Sequence, residues 1–476
     1  MLLKVFNYIY LLFSVFLLGS VLMERSKLEL FLIVVFTILL CFFIKKGGLK
    51  FNFSNKTTNL LIILSIVVRG CFLFFNFGDL FSDYANFFNC SAAWAKGGGI
   101  NKYIATFPHL IPYIVSLGTF FKMFGSSIKS MIIFNTIFDL LSALLLKRIF
   151  NSKKAALIWL LNPINIIWCG ICHPVAITNT FIIMSILVFK NVVAKFDKEN
   201  FKLYFCAILF GIVLSVANLY RPIMIILFIA VVIWLFLRIT RNSFKKILLI
   251  ILLIFISYFG CNKLYGFVNK KFIDDTIATQ TVGWNIYVGA NIDSSGTWNR
   301  KQQDEFDEIF YTDATPTEIQ EHFLEKGLNL YKNNGLIDNI KLFVKKAIIL
   351  VKNPDRLTCT VFLDTLELTV NKYVSGALKV LTMLVYYILI LFNLIIAYVK
   401  LKDKKCDITI LLQLFIIGIV ASHIFVEVAP RYSLPLLVPY TLLIIINSDV
   451  IIKFLISIRS IVAALIYKGN ATTHFH

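Results

Sequence analysis

Long uninterrupted apolar runs recur along most of the chain, with short polar segments between them. A helix needs about 20 residues to cross ~30 Å of hydrocarbon, and only helices or closed barrels satisfy their backbone groups there. The runs are continuous rather than alternating, so they predict an all-α polytopic membrane protein. The predicted spans lie near residues 5–23, 28–44, 59–77, 128–146, 155–171, 175–189, 201–217, 221–238, 246–264, 375–399, 407–426 and 432–447. A further apolar stretch at 449–467 either spans or lies at the interface, which makes about 12–13 spans.

Residues 266–373 interrupt this pattern with a hydrophilic insert that carries more than half of the chain's 26 acidic residues. Residues 315–318 (TPTE) have the spacing of a capping box, with proline at the first helical position. The helix that starts there should end near Gly335, and a second, amphipathic helix should run over about 336–353. The insert is therefore predicted to be mostly helical.

The net charge of +21 is large enough to suggest a nucleic-acid partner. The positions of the cations exclude that partner, because they gather in alternate short loops, and the loops between are poor in Lys and Arg. This is the positive-inside pattern of membrane proteins. It predicts a multi-pass protein of the cell (plasma) membrane, partnered by the lipid bilayer, with a cytoplasmic N-terminus and an external insert.

The apolar stretch 108–124 does not fit as a further span, because it would move the basic loop at 147–154 to the outside. We therefore expect an interfacial or re-entrant helix there, inside an outer segment at 78–127. The chain then divides into an N-terminal membrane module, residues 1–265, the insert, and a C-terminal membrane module, residues 374–476.

Two carboxylates, Asp79 and Asp83, lie just beyond the apolar run that ends at Phe77. Ionisable groups are costly at a membrane boundary unless they face water or have a function. Aromatic residues follow, beginning with Tyr84, and a carboxylate sheltered among them can be tuned into a general base. The same outer segment holds His109. The simpler alternative is a pair of solvated loop acids or helix caps.

Arg221 and Arg431 fall at the outer ends of predicted spans, where the positive-inside rule does not explain them. A guanidinium there is suited to hold a phosphate through two parallel hydrogen bonds. The alternative is an arginine that reaches towards lipid head groups.

His423, Glu427 and Arg431 are spaced four residues apart, so they would share one face if the helix continued that far. Pro430 makes the last turn of such a helix uncertain. The cluster would then line a cavity, or Glu427 would simply neutralise Arg431. His423 and Glu427 alone are too few ligands to predict a metal site.

Residues 169–173 (CGICH) match the spacing of a c-type haem attachment motif. The motif is short, has no second copy and lies at the end of a predicted membrane helix, so haem stays a rival hypothesis. The nine cysteines lie mostly inside apolar runs and do not indicate a disulfide framework.

Residues 283–299 (GWNIYVGANIDSSGTWN) are rich in Gly, Asn and aromatic residues, among them Trp284 and Asn291. Aromatic faces stack on the C–H groups of sugars, and amides bond their hydroxyls. An ordinary turn-rich loop would have the same composition.

Several of these short motifs follow one another in a characteristic order between residues 59 and 447. They are Ser82-Asp83-Tyr84 with Ala92 and Gly97, Phe107-Pro108-His109, Phe124-Gly125, Leu161-Asn162-Pro163, Arg221-Pro222, the 283–299 stretch, and Arg431-Tyr432 with Pro435. In order and topological placement the chain resembles C-type (GT-C) glycosyltransferases. The protein-mannosyltransferase and aminoarabinose-transferase type, glycosyltransferase family 39, is the nearest group.

The resemblance implies a GT-C-like helical bundle that moves a sugar from a polyprenyl-phosphate donor on the outer face. It implies that Asp83 is catalytic and that Arg221 and Arg431 bind the donor phosphate. The residues expected to contact substrates are Asp79, Tyr84, His109, His173, Trp284, Asn291, His423 and Glu427.

The chain has Ser82-Asp83 where many protein mannosyltransferases have an Asp-Glu pair, and it lacks their large lumenal domain. A cell-surface glycan, a teichoic-type polymer or a lipid is therefore expected as acceptor rather than a protein. The sequence requires no cofactor, and a divalent metal, as in some relatives, stays open. A transporter or flippase of lipid-linked glycans is the main alternative, since it would show the same basic-rimmed helices.

Overall fold

A computed structural model describes most of the chain. The described residues are 2–23, 25–45, 54–71, 73–74, 80, 82–196, 201–240, 243–273, 276–352, 372–403 and 405–457. Within these ranges every regular element is a helix and none is a strand. The all-α class that the apolar runs predict is therefore confirmed for this part of the chain.

Twenty α-helices lie in the described ranges. They are α1 Leu2–Leu22, α2 Lys27–Lys45, α3 Asn55–Cys71, α4 Ser82–Ala95, α5 Lys102–Thr106, α6 Ile111–Phe124, α7 Ile128–Phe150, α8 Lys153–Leu160, α9 Pro163–Cys169, α10 Val175–Lys195, α11 Phe201–Tyr220, α12 Met224–Phe236, α13 Phe244–Phe272, α14 Gly283–Gly289, α15 Arg300–Phe310, α16 Pro316–Lys352, α17 Lys372–Lys400, α18 Ile408–Ser422, α19 Leu437–Ile446 and α20 Ser448–Ser457. Short 3₁₀ helices at Pro108–Leu110 and Pro430–Leu436 precede α6 and α19.

Six of the described helices are long and apolar enough to cross a membrane. They are Leu2–Leu22, Ile128–Phe150, Val175–Lys195, Phe201–Tyr220, Phe244–Lys271 and Gly376–Lys400. Their outward faces are apolar, as on α13, where Leu248, Leu252 and Phe255 are exposed. Lipid accepts such faces, whereas a water-soluble protein would cover them. The helices are those of a multi-pass membrane protein.

The described residues contain six such spans, or up to seven if the bent pair Pro430–Ile446 and Ser448–Ser457 is one span, rather than the expected 12–13. The predicted span at 155–171 is divided into α8 and α9, because Asn162 caps a new helix and Pro163 begins it. The predicted spans at 221–238, 407–426 and 432–447 become helices of 13, 15 and 10 residues. Mean hydropathy reports only how apolar a stretch of residues is. It therefore cannot show where a helix breaks within that stretch.

The apolar stretch at 108–124 forms a 3₁₀ turn and the 14-residue helix α6. A helix of that length is about 21 Å long, which is too short to cross the ~30 Å core. The length agrees with an interfacial or re-entrant helix. Its depth relative to a membrane stays a prediction.

A buried ion pair ties three helices together near the middle of the bundle. Arg69 on α3 and Asp139 on α7 are 1% and 3% exposed, and Arg69 Nη2 lies 2.6 Å from Asp139 Oδ2. Trp159 on α8 donates to the other carboxylate oxygen at 2.8 Å, and Arg69 Nη1 donates to the Leu160 carbonyl at 3.0 Å. The pair therefore satisfies the C-terminal end of α8, just before the break that begins α9.

The insert forms the helices that its sequence predicts. Thr315 and Glu318 make the reciprocal capping-box bonds, with Thr315 N donating to Glu318 Oε2 at 2.7 Å and Glu318 N donating to Thr315 Oγ1 at 3.3 Å. The helix breaks at Gly335, whose φ of +73° is left-handed, and a second helical half then runs to Lys352. Residues 353–371 lie outside the described ranges.

Candidate active site

Asp83 lies in the first turn of α4, directly after Ser82, whose φ of +53° is left-handed. The N-terminus of a helix favours a nearby negative charge. The hydroxyl of Tyr103 on α5 donates a 2.8 Å hydrogen bond to Asp83 Oδ1. The Asp83 side chain is still 38% exposed, so the carboxylate is positioned and also accessible to a substrate.

Two arginines approach this carboxylate from distant parts of the chain. Arg431, in the 3₁₀ turn before α19, places Nη2 3.7 Å from Asp83 Oδ2. Arg221 follows the end of α11. The guanidinium carbons of Arg431 and Arg221 lie 5.2 and 5.4 Å from the centroid of the Tyr432 ring. Tyr432 therefore holds both cations beside Asp83 through cation–π contacts.

His423, Glu427 and Arg431 do not share a helix face. Helix α18 ends at Ser422 and His423 is its C-cap, because the chain leaves helical geometry ahead of Pro430. The three residues converge by another route. The His423 ring lies 5.7 Å from the Tyr432 ring, and the buried Glu427 carboxyl interacts electrostatically with Arg431. Burial raises the pKa of Glu427, against the opposing effect of Arg431.

Several buried polar nitrogens at and around Arg221 have no hydrogen-bond partner among the described residues. They are Arg221 Nη1, His109 Nδ1, His173 Nδ1 and Trp168 Nε1. Burial, aided by the charge of Arg221, lowers the pKa of His109 to about 4 and that of His173 well below its usual value. Both imidazoles are thus neutral at pH 7, and Arg221 supplies the positive charge. Buried polar groups need partners, and the guanidinium of Arg221 and the indole N–H of Trp168 can only donate. This donor group therefore suits an anionic ligand.

Tyr84 follows Asp83 in the chain and packs against His173 of this donor group. The Tyr84 side chain is 7% exposed, and its ring meets the His173 ring edge-on at 6.2 Å. His173 also packs against Trp168 at 5.1 Å. Of the residues that the sequence singled out, the structure brings together Asp83, Tyr84, His109, His173, Arg221, His423, Glu427 and Arg431.

Trp284 and Asn291 do not join this cluster and make their contacts within the insert instead. The Trp284 indole is packed against Phe306 and Phe323, 4.8 and 5.2 Å away, inside the insert. Asn291 Oδ1 accepts from the backbone of Ser294 at 3.1 Å, which closes a turn. Neither side chain has a described contact with the Asp83 cluster. Asp79 lies outside the described residues.

The 283–299 segment supports the cluster through its backbone. Glu427 N donates to the Asn285 carbonyl at 2.6 Å, and Val428 N donates to the Gly296 carbonyl at 2.9 Å. A Cβ on Gly289 would lie 2.5 Å from the carbonyl carbon of Val426, so only glycine allows this close approach. The insert thus fixes the path of the segment that leads to Arg431.

Comparisons with family models, with curated proteins and with solved structures found no match to this chain. The site is therefore interpreted from its own geometry.

Two supporting residues were not recognised in the sequence. No sequence pattern marks Tyr103 as a partner of Asp83, because only the fold shows that the two residues are in contact. Lys346 is fully buried and donates to the Gly289 carbonyl at 2.9 Å and to the Tyr331 hydroxyl at 3.0 Å. A signal existed for Lys346, which falls on the apolar face of its helix, four residues from both Leu342 and Leu350.

The cysteine motif at 169–173 is part of the helix packing. Cys169 and Cys172 are both fully buried, Cys169 Sγ contacts the Asn165 carbonyl at 3.3 Å, and Tyr113 donates to Cys172 at 3.7 Å. Neither sulfur is open to a haem vinyl group. Within the described residues, no group of three or more His, Cys, Asp and Glu side chains could hold a metal ion.

Proposed function

We propose that the protein is an inverting membrane glycosyltransferase that moves a sugar from a polyprenyl-phosphate donor to a hydroxyl of a cell-surface acceptor. The observation that carries this proposal is the pairing of an accessible, doubly held carboxylate, Asp83, with a buried donor group around Arg221. Transfer of a sugar from a phosphate requires a base that accepts the acceptor's proton and, beside it, a site that binds the leaving phosphate. The sequence resemblance to GT-C enzymes points to the same reaction.

In the proposed reaction the acceptor oxygen attacks C1 of the donor sugar while the C1–O bond to the phosphate breaks. The acceptor proton passes to Asp83, and the products are the glycoside and the polyprenyl phosphate. The sugar carries oxocarbenium-like charge in the transition state, as in other glycosyl chemistry. Tyr103 orients the carboxylate that accepts the proton.

The leaving phosphate gains negative charge as the bond breaks, and preorganised donors stabilise such charge best. Arg221 is suited to this role because one of its nitrogens is buried without a partner. Arg431 is already engaged with Asp83 and Tyr432. We therefore propose that Arg221 makes the principal phosphate contact and that Arg431 bridges the phosphate and the base.

The proposal places this site on the outer face of the plasma membrane, in a GT-C-like bundle. The acceptor class, a glycan, a teichoic-type polymer or a lipid, follows only from the resemblance and from Ser82-Asp83, which stands where many protein mannosyltransferases have an Asp-Glu pair.

The test is turnover of synthetic polyprenyl-phosphate sugars by the purified protein in nanodiscs, with mass spectrometry of the products. We expect glycosylated acceptor and free polyprenyl phosphate from the parent and little from Asp83→Asn. Proteoliposomes test the alternative function in parallel. Movement of intact lipid-linked sugar across the bilayer without turnover would support a transporter and contradict the proposal.

A further inference from the structure

Two adjoining cavities open between helix ends, away from the Asp83 cluster. The larger has a volume of about 650 Å³ and the smaller about 450 Å³. Lys190 on α10 lines both, so they are neighbours and are treated as one region. Aliphatic and aromatic side chains form most of the walls, including Phe150, Trp234, Leu237 and Ile446.

The helices themselves place this region at the opposite end of the bundle. Helix α10 begins two residues after His173, and α12 begins three residues after Arg221. Helix α18 ends beside His423, and the 3₁₀ turn with Arg431 leads into α19. Each of these four helices lines the larger cavity near its other end. The lining residues there are Val193 of α10, Trp234 of α12, Ile408 of α18 and Ile446 of α19. The cavity and the Asp83 cluster are therefore separated by the length of the bundle.

Cations outnumber carboxylates in the lining of this apolar region. Arg148 lines the smaller cavity, and Arg238 and Lys405 line the larger one. None of the three has a carboxylate oxygen within 4 Å among the described residues. Lys405 still interacts electrostatically with Asp403, and Arg238 stacks on Trp234 at 4.6 Å. The acidic residue of the lining, Asp407, shares the Lys400 ammonium with Asp403, at 2.9 and 2.8 Å. Lys190 donates to the Ile149 carbonyl.

An excess of cations in the lining of an apolar cavity between membrane helices fits one chemical class of ligand. An anionic phosphate headgroup pairs with the cations, and its acyl chains fill the apolar walls. We infer that this region is a binding site for an anionic phospholipid, at the bundle end opposite the Asp83 cluster. The positive-inside rule accounts for basic residues at this end, but it does not require a cavity between them. The inference does not depend on the proposed glycosyl transfer.

The test compares two variants that each lose three positive charges. The first is Arg148→Gln, Arg238→Gln and Lys405→Gln, at the cavity. The matched control is Lys147→Gln, Lys202→Gln and Lys245→Gln, at exposed lysines that do not line it. Delipidated protein in neutral detergent is titrated with dioleoylphosphatidylglycerol, and bound lipid is counted by native mass spectrometry. We expect affinity to fall by roughly fivefold per cavity cation removed and to change little in the control.

Three further arms separate the possible ligands. Dioleoylphosphatidylcholine should bind much more weakly, and millimolar inorganic phosphate should not displace the bound phosphatidylglycerol. Ile446→Trp, which keeps every charge and fills part of the larger cavity, should also weaken phosphatidylglycerol binding and serves if the triple variant does not fold. Equal binding by the cavity variant and the parent would overturn the inference. Equal loss in the control, no preference over phosphatidylcholine, or displacement by free phosphate would overturn it too.

Discussion

Asp83 is held from two sides, by one residue of the same outer segment and by one from the C-terminal module. Tyr103 donates to one carboxylate oxygen at 2.8 Å, and Arg431 approaches the other at 3.7 Å. One contact is local to the outer segment, and the other joins the two membrane modules. A side chain fixed in this way keeps its direction when a substrate arrives, which general-base catalysis requires.

We expect Asp83→Asn to lower turnover by about 10²–10⁴-fold, because it keeps the size of the side chain and removes the proton acceptor. Initial rates at saturating donor measure the change. Asp79→Asn is the comparison, and we expect a milder effect there. Tyr103→Phe should slow the parent by about tenfold and the Asp83→Asn enzyme hardly at all, because its hydroxyl acts through Asp83. Near-parental turnover of Asp83→Asn would remove the catalytic assignment.

We expect Arg221→Lys and Arg431→Lys to affect different kinetic constants. Lysine keeps the charge and loses the planar fork. At Arg221 we expect mainly weaker donor use, seen as a raised KM for the polyprenyl-phosphate sugar. At Arg431 we expect mainly a lower kcat, because this residue also contacts Asp83. Titration of both variants with inorganic phosphate as a competitor provides the control. If Arg221→Lys uses the donor like the parent, Arg221 does not hold the phosphate.

At the scale of elements, the Arg69–Asp139 pair joins α3, α7 and α8, and the buried Lys346 joins α16 to the 283–299 segment. Both are charged groups in apolar surroundings, and each is satisfied by partners from other elements. Breaking a buried pair leaves an uncompensated charge and costs more than replacing the whole pair.

Asp139→Asn should destabilise the protein by about 3–5 kcal/mol, because Arg69 stays buried without its counter-charge. Thermal unfolding in nanodiscs measures the loss. The double variant Arg69→Met, Asp139→Leu should recover most of it, since no unpaired charge then remains. A single variant as stable as the parent, or a double variant that loses more than the single one, would show that the pair does not brace the three helices.

Lys346 should make stability depend on pH. Burial lowers its pKa from 10.5 to about 7, against the attraction of Glu427. Between pH 7 and 10.5 the unfolded chain binds more protons at this position than the folded one, so this contribution to stability rises with pH. Lys346→Met should flatten the rise in Tm across that window, whereas Lys341→Met, at an exposed position, should leave it unchanged. Parallel Tm curves for parent and Lys346→Met would contradict the assignment.

At the scale of the whole molecule, the described helices separate two chemically different ends. One end carries the Asp83–Arg431 cluster and the insert, and the other carries the cation-rimmed cavities. The charge alternation in the sequence predicts that the first end is external and the second cytoplasmic.

Cysteine labelling of intact cells tests this orientation. In a background without the native cysteines, Asp313→Cys in the insert should react with an impermeant maleimide, and Lys147→Cys and Lys402→Cys should not. All three positions are exposed in the structure. Labelling after permeabilisation shows that the protected cysteines are present. External reaction at position 147 would contradict the map and, with it, the interfacial placement of residues 108–124.

The chain's local features were largely determined by sequence alone. The helical class, the capping box at 315–318 and the helix break at Gly335 depend on neighbouring residues, on backbone hydrogen bonds and on the conformational freedom of glycine. Among the site residues, Asp83, Arg221 and Arg431 stood out because charged groups at a membrane boundary are costly without a function.

Tertiary structure decided which of these residues meet. Tyr432 joins Arg221 to Arg431, Tyr103 fixes Asp83, and Trp284 is packed inside the insert. It also decided the length of the spans, since the break at Asn162-Pro163 divides a run that hydropathy reads as one helix. The physical reason is the distance along the chain between the residues that interact. Helix formation and apolar burial are encoded within a few turns of chain, whereas a contact between α4 and the turn before α19 exists only after the helices between them have packed.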